Sequence, residues 1–296
     1  MIMWLALAFL SAALLGLYDT SKKAALKNNA VIPVLFLNTV FSTLIFSKVI
    51  ISSFSGATAS FEEIGVLKAH LLIMAKSCIV LTSWIFGYFG LKHLPITIVG
   101  PINATRPILV LLGAMLIFGE RLNAWQWGGV ILSLFSLLML SRSSKKENIN
   151  FAHNKWIWFI AAAAFTGACS GLYDKYIMQK MEPSFVQGWY NFYQMLMMGI
   201  VMLSLWLPNR HKSTPFRWSW AIPLISIFIS AADYAYFSAL SQPDSMISVV
   251  SLVRRSSVIV SFLCGALIFK ERNLKAKALD LAMILIGMVL IWIGSR

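Results

Sequence analysis

Four basic residues stand in apolar runs where charge is expensive. Arg254 and Arg255 are adjacent inside the run Ser245–Phe269, Arg106 lies within 95–118, and Lys76 lies within 69–91. A cation at the centre of a bilayer costs at least about 2.5–3.5 kcal/mol on insertion scales, and charge kept there is functional by default. Guanidinium groups offer paired N–H donors that match carboxylate and phosphate. The chemistry such a set supports is recognition of an anion. Bond-making chemistry has no comparable signal. The four histidines (His70, His93, His153, His211) fall at run ends or in loops, and the three cysteines (Cys78, Cys169, Cys264) have unrelated spacings. They form no metal pattern and suggest no disulfide. No grouped carboxylates and no Walker A pattern occur, so the sequence is read as a non-enzyme with no catalytic residue, no metal, no cofactor and no ATP engine.

The elements that must position these residues are membrane helices. The chain has 296 residues, 59% hydrophobic and 12% charged, with mean hydropathy +0.76. Soluble domains carry about 25% charged residues. Ten spans are expected, at 2–24, 31–53, 69–91, 95–118, 123–141, 156–179, 184–207, 218–241, 245–269 and 276–294. Together they consume most of the length and leave no room for a soluble catalytic domain. The first run lacks a basic leader and reads as a retained helix. Pro33, Pro95, Pro183, Pro208, Pro223 and Pro243 lie near span ends, where a first helical turn tolerates them. Pro101 and Pro107 differ: they lie inside the fourth span, on either side of Arg106. Proline there frees carbonyls and kinks the helix, which is tolerated beside a cavity.

The formal net charge of +14 would raise nucleic acid as a partner in a soluble protein. Here the lipid bilayer explains it. Fifteen loop Lys and Arg residues, Lys22 and Lys23 among them, fall on one side of the expected topology and five on the other. The positive-inside rule then places both termini outside. Trp4, Trp125, Trp127, Trp156, Trp158, Trp218 and Trp220 are near span ends and read as interface anchors.

A polar segment divides the chain into 1–141 and 155–296, with a cytoplasmic linker at 142–154. The halves repeat. Gly16-Leu17-Tyr18-Asp19 recurs as Gly171-Leu172-Tyr173-Asp174, and Phe118-Gly119-Glu120-Arg121 recurs as Phe269-Lys270-Glu271-Arg272. Five spans per half means that the second half inserts upside down, an arrangement common in secondary transporters with the site near the midplane. Ten spans, the five-plus-five repeat and the Gly119-Glu120 and Lys270-Glu271 pairs resemble the drug/metabolite transporter superfamily of the EamA type. The resemblance implies an all-α integral membrane fold, a ten-helix basket of two inverted five-helix repeats around a central cavity, and metabolite transport. It is compatible with the bacterial branch, in the plasma (inner) membrane.

Part of the pattern also resembles the plastid triose-phosphate and related translocators of that superfamily. Those carry one basic residue in the fourth span and an adjacent basic pair in the ninth, which grip phosphate. Arg106 and Arg254–Arg255 hold comparable positions, although the first of the pair is Lys in that family. Because neighbours on a helix differ by about 100°, at most one of Arg254 and Arg255 points straight at a cavity axis. Lys76, Asn103, Tyr234 and Tyr236 are further candidates for substrate contact, with one tyrosine of the two facing inward. Asn38, Trp84, Tyr190 and Asn191 are other polar or amphipathic intramembrane residues. The competing reading of the cations is structural. Asp233, the one clearly intramembrane acid, could pair an arginine, Asp19 or Asp174 could pair others, and Lys76 could snorkel to a span end. Asp19 and Asp174 read as helix-end residues or as proton or gate sites. Glu120 and Glu271 read as helix-end residues beside Arg121 and Arg272.

The expected function is a secondary carrier that moves a small anionic, phosphate- or carboxylate-bearing solute by alternating access. A proton or counter-solute would supply the energy. One alternative is an exporter of amino acids or of cationic or aromatic drugs, which should expose carboxylates. Another is a membrane phospho-group or lipid-modifying enzyme, which should show an acid, base or metal cluster.

Overall fold

The structure is a computed structural model that describes residues 2–54, 65–103, 105–106, 108–110, 112–113, 123–125, 127–129, 131–132, 135–136, 153–178, 180–211, 213–242, 250, 253–254, 256–268 and 274–294. Among them every regular element is helical. The main helices are α1 (Ile2–Leu26), α2 (Val31–Ile45), α3 (Ser47–Phe54), α4 (Val66–His93), α5 (Ile96–Asn103), α6 (Lys155–Met178), α7 (Pro183–Val201), α8 (Ala221–Leu240), α9 (Ser257–Leu267) and α10 (Leu274–Gly294). A π-helical turn, Met202–Trp206, extends α7. Four stretches, Met3–Leu26, Val66–His93, Lys155–Met178 and Ala221–Leu240, are long and apolar enough to cross a membrane. Val31–Ile45 and Ser257–Leu267 are shorter apolar helices. At 1.5 Å per residue, the 25 residues of α1 reach about 37 Å, beyond a hydrocarbon core of about 30 Å. Much of the expected fifth span, the linker 142–152, Glu120–Arg121 and Glu271–Arg272 lie outside the described residues.

Local sequence accounts for the breaks. The expected second span divides at Phe46 into α2 and α3. α5 ends at Asn103, four residues before Pro107, which has no N–H to give that carbonyl. Thr105 then makes a tighter turn, its N–H bonding Ile102 O at 3.2 Å. The ninth span is interrupted too. Ser256 N bonds Val253 O at 3.0 Å, and α9 begins one residue later. These two irregular points carry Arg106 and Arg254. At the end of α4, Lys23 Nζ donates to Leu91 O (2.9 Å) and Leu94 O (2.5 Å). It satisfies carbonyls that a helix end leaves without partners.

α1 packs along α8, α4 along α6, α2 against α7 and α8, and α5 and α1 against α9. The α1–α9 crossing depends on Gly16, where an added Cβ would stand 2.5 Å from Val260 Cβ and 2.9 Å from Ser257 O. Two apolar clusters lie toward opposite ends of the helices. One gathers Trp4, Ile73, Met178, Phe185, Trp189 and Tyr236. The other gathers Leu26, Leu35, Leu81, Tyr88, Ile222 and Ile225. The central cavity lies between them.

Candidate functional site

The cavity measures about 140 Å³ and is lined from α1, α4, α5, α6, α7, α8, α9 and the residues that flank α5 and α9. Three cation–carboxylate pairs are built into its wall. α4 supplies Lys76, only 2% exposed, whose Nζ donates to Asp174 of α6. The ammonium also lies 4.8 Å from the Phe237 ring centroid and 5.1 Å from that of Tyr190. α1 supplies Asp19 and Lys22, one turn apart, with Nζ 2.7 Å from Oδ1. Lys22 Nζ stands 4.2 Å from the Tyr18 ring centroid and 5.2 Å from that of Tyr88. Arg254, just before α9, donates to Asp233 Oδ1 and lies 4.1 Å from the Tyr236 ring centroid. The other oxygen of Asp233 accepts from Tyr190 Oη at 2.7 Å. Pairing and aromatic faces are how a water-poor interior tolerates such charges.

Arg106 is different. It has no carboxylate within ion-pair distance among the described residues. Its hydrogen bond is a long one, Nη2 to Asn103 Oδ1 at 3.4 Å, and its Nε, like that of Arg254, is buried without a partner. Gly167 of α6 makes room for it: a Cβ there would stand 2.6 Å from Arg106 Cζ. The described lining thus holds four cations (Lys22, Lys76, Arg106, Arg254) and three carboxylates (Asp19, Asp174, Asp233), an excess of one positive charge. The excess resides at Arg106, whose guanidinium keeps donors free for a ligand.

The cavity gathers most of the candidates named from sequence: Arg106, Arg254, Lys76, Tyr236, Asn103, Asp233, Asp19 and Asp174 all line it, as do Trp84 and Tyr190. Tyr234 does not; it is 50% exposed on the outer face of α8, two residues and about 200° from Tyr236. Arg255 lies outside the described residues. Lys76 does not snorkel, because Asp174 holds it inside the bundle. Lys22 is no loop cation: α1 continues past it to Leu26 and buries it to 8% exposure. Asp19 and Asp174 are cavity residues, so among the described residues three carboxylates line the cavity and Asp233 is not alone there. Trp4 is 8% exposed and packs in an end cluster, whereas Trp125, Trp127, Trp158, Trp218 and Trp220 are exposed. Sequence reasoning missed Lys22 and Gly167. The Asp19/Lys22 spacing of three was the available signal for the first. Among the described residues no group of His, Cys, Asp and Glu side chains could hold a metal.

The sequence pattern of the EamA-like transporter family matches residues 2–142 and 154–293, nearly the whole chain in two copies. The chain belongs to the EamA-like transporter family. It is therefore a multi-pass membrane transporter of small solutes, from a family of transporters and not of enzymes. A solved structure described as "Crystal structure of protein" superposes on this transporter with a TM-score of 0.68 at 12% identity, covering 98% of this chain and 99% of the other. That likeness speaks for the fold alone. No curated protein sequence matches the chain significantly.

Proposed function

We propose that the transporter is a secondary-active carrier of a small solute with one anionic group, a carboxylate or a phosphate, bound at Arg106 in the central cavity. The observation that carries this reading is the inequality among the four cavity cations. Lys22, Lys76 and Arg254 have carboxylate partners, and Arg106 has none among the described residues. A solute anion would complete its hydrogen bonding without breaking an existing ion pair. Asn103 and Tyr236 are placed to contact the rest of the solute, and Arg254 and Lys76 contribute field through their pairs. Arg255 is retained as a candidate on sequence grounds. The carrier is read as ten spans in two inverted repeats, 1–141 and 155–296, joined by a cytoplasmic linker at 142–154. Both termini face outside the plasma membrane, and a proton or counter-solute drives exchange by alternating access.

The three carboxylates favour one refinement. The cavity's excess is a single charge, so a monoanion, or a zwitterion whose ammonium meets Asp19 or Asp233, matches it better than a polyanion. A thermal-shift screen of phosphorylated, carboxylate and amino-acid metabolites on the purified protein tests the reading. Ligand binding raises stability in proportion to the logarithm of ligand excess. At least one monoanionic or zwitterionic solute should raise the melting temperature, and Arg106→Ala should abolish that shift. A solute that shifts the Arg106→Ala protein as much as the wild type would remove Arg106 from the site.

A further inference from the structure

Away from the cavity, a seam of uncharged polar side chains runs between α2, α7 and α8. α7 presents Gln187, Asn191 and Gln194 at spacings of four and three, one face of a helix, and none is more than 1% exposed. α2 contributes Asn38 and Ser42, and α8 contributes Ser226 and Ser230, each pair four residues apart and at most 4% exposed. Some groups satisfy one another. Ser226 Oγ bonds Asn38 Oδ1 at 3.0 Å, and Gln187 Nε2 donates to Ser230 O at 2.9 Å. Seven do not. Asn38 Nδ2, Ser42 Oγ, Gln187 Oε1, Asn191 Nδ2, Gln194 Oε1, Gln194 Nε2 and Ser230 Oγ are buried without a protein partner. They are seven of the twelve such side-chain atoms among the described residues, so the deficit is concentrated here.

The mixture of groups selects the ligand. A metal cation would satisfy only the oxygens, an anion only the amide N–H and serine O–H donors and not the amide oxygens, and a lipid chain neither. Exchanging O and N in any one amide leaves both kinds present, since Gln194 lacks partners at both atoms. What fits is a small molecule that both donates and accepts. Buried waters make about three hydrogen bonds each to otherwise unsatisfied groups, so seven atoms suit roughly two or three. The seam also meets the cavity wall. Ser230 is three residues before Asp233 on α8, and Tyr190, which donates to Asp233, immediately precedes Asn191 on α7. The geometry points to a short file of ordered water bound between α2, α7 and α8 and ending behind the Tyr190–Asp233 pair. This site gives Asp233 a hydrated side that a solute filling the cavity does not remove. It does not depend on what the cavity binds.

Pulsed hydroxyl-radical footprinting of the full chain in lipid nanodiscs tests it, because radicals formed from bound water oxidise the buried side chains next to it. Met198 is the reporter: it is fully buried, one turn beyond Gln194, and does not line the cavity. Met198 belongs to one apolar cluster and Met178, on α6 and so outside the three helices of the seam, to the other, which makes Met178 the control. Met198 is expected to oxidise faster than Met178 in the wild type, because bound water beside it supplies the radical. The rate should fall to that of Met178 in Gln194→Leu. Asn191→Leu, which removes another of the unpaired amides, supplies the same comparison if the Gln194→Leu variant does not fold. Met198 as unreactive as Met178 in the wild type, or a Met198 rate unchanged by the substitution, overturns the water file.

Discussion

Arg106 and Gly167 form the smallest unit of the site. A Cβ at position 167 would occupy the place of the guanidinium, and the group it displaces is the free end of a long side chain. Gly167→Ala should therefore move Arg106 at little cost to the fold. The melting temperature should stay within a few degrees, while affinity for the solute anion falls roughly tenfold or more, the worth of a charge-assisted hydrogen bond of about 1.5–3 kcal/mol. Titration of the solute found in the thermal-shift screen checks this, and unchanged affinity would count against Arg106 as the anion ligand. This scale was unevenly legible in the sequence. Arg106, Arg254, Lys76 and Asp233 announced themselves as charges in apolar runs. Gly167 carried no signal, since a helical glycine acquires meaning only once its neighbour on another helix is known. Tyr234 and Tyr236 could be separated only by the rotational setting of α8, which packing against α1 decides. Lys22 read as a loop residue because hydropathy falls off before the helix does.

The two copies of Gly-Leu-Tyr-Asp are the clearest feature at the scale of elements. Each aspartate, Asp19 on α1 and Asp174 on α6, holds a lysine that also lies near two aromatic rings. Tyr18 and Tyr88 belong to one apolar end cluster, and Tyr190 and Phe237 to the other. The repeat was visible in the sequence, but its lysine partners were not, because they come from different elements: Lys22 from α1 itself and Lys76 from α4. Asp233 and Arg254 join α8 to the segment before α9, both nearly buried. Asp233→Asn should cost about 3–5 kcal/mol, because it strands a buried cation, and Asp233→Leu with Arg254→Met should recover most of that loss. Unfolding of the purified variants measures it. A double variant as unstable as the single one would mean that the pair does more than neutralise charge. At the α1–α9 crossing, Gly16→Val should destabilise by about 1–3 kcal/mol through overpacking against Val260 and Ser257 O. A wild-type melting temperature in that variant would contradict the close approach.

At the scale of the molecule, a cavity lies between two apolar clusters inside a two-repeat membrane fold, and the proposed carrier would open one end of it at a time. The general architecture was readable early because bilayer thickness fixes span length and the duplication left two matching motifs. Substrate sign was harder to read. Counting Asp19 and Asp174 as helix-end groups made the interior look strongly cationic, whereas three of the four cations among the described lining residues have carboxylate partners distant in sequence or hidden at a helix end. The proposed specificity therefore rests on Arg106, the one cation of the described lining without a carboxylate partner. Its most direct test is solute flux in proteoliposomes, comparing wild type with Arg106→Gln for radiolabelled monoanionic, zwitterionic and cationic metabolites. Flux of a monoanionic or zwitterionic solute should saturate and should fall at least about tenfold in Arg106→Gln, the loss of one charge-assisted contact. Flux of a cationic solute alone, or anion flux that survives Arg106→Gln unchanged, would contradict it.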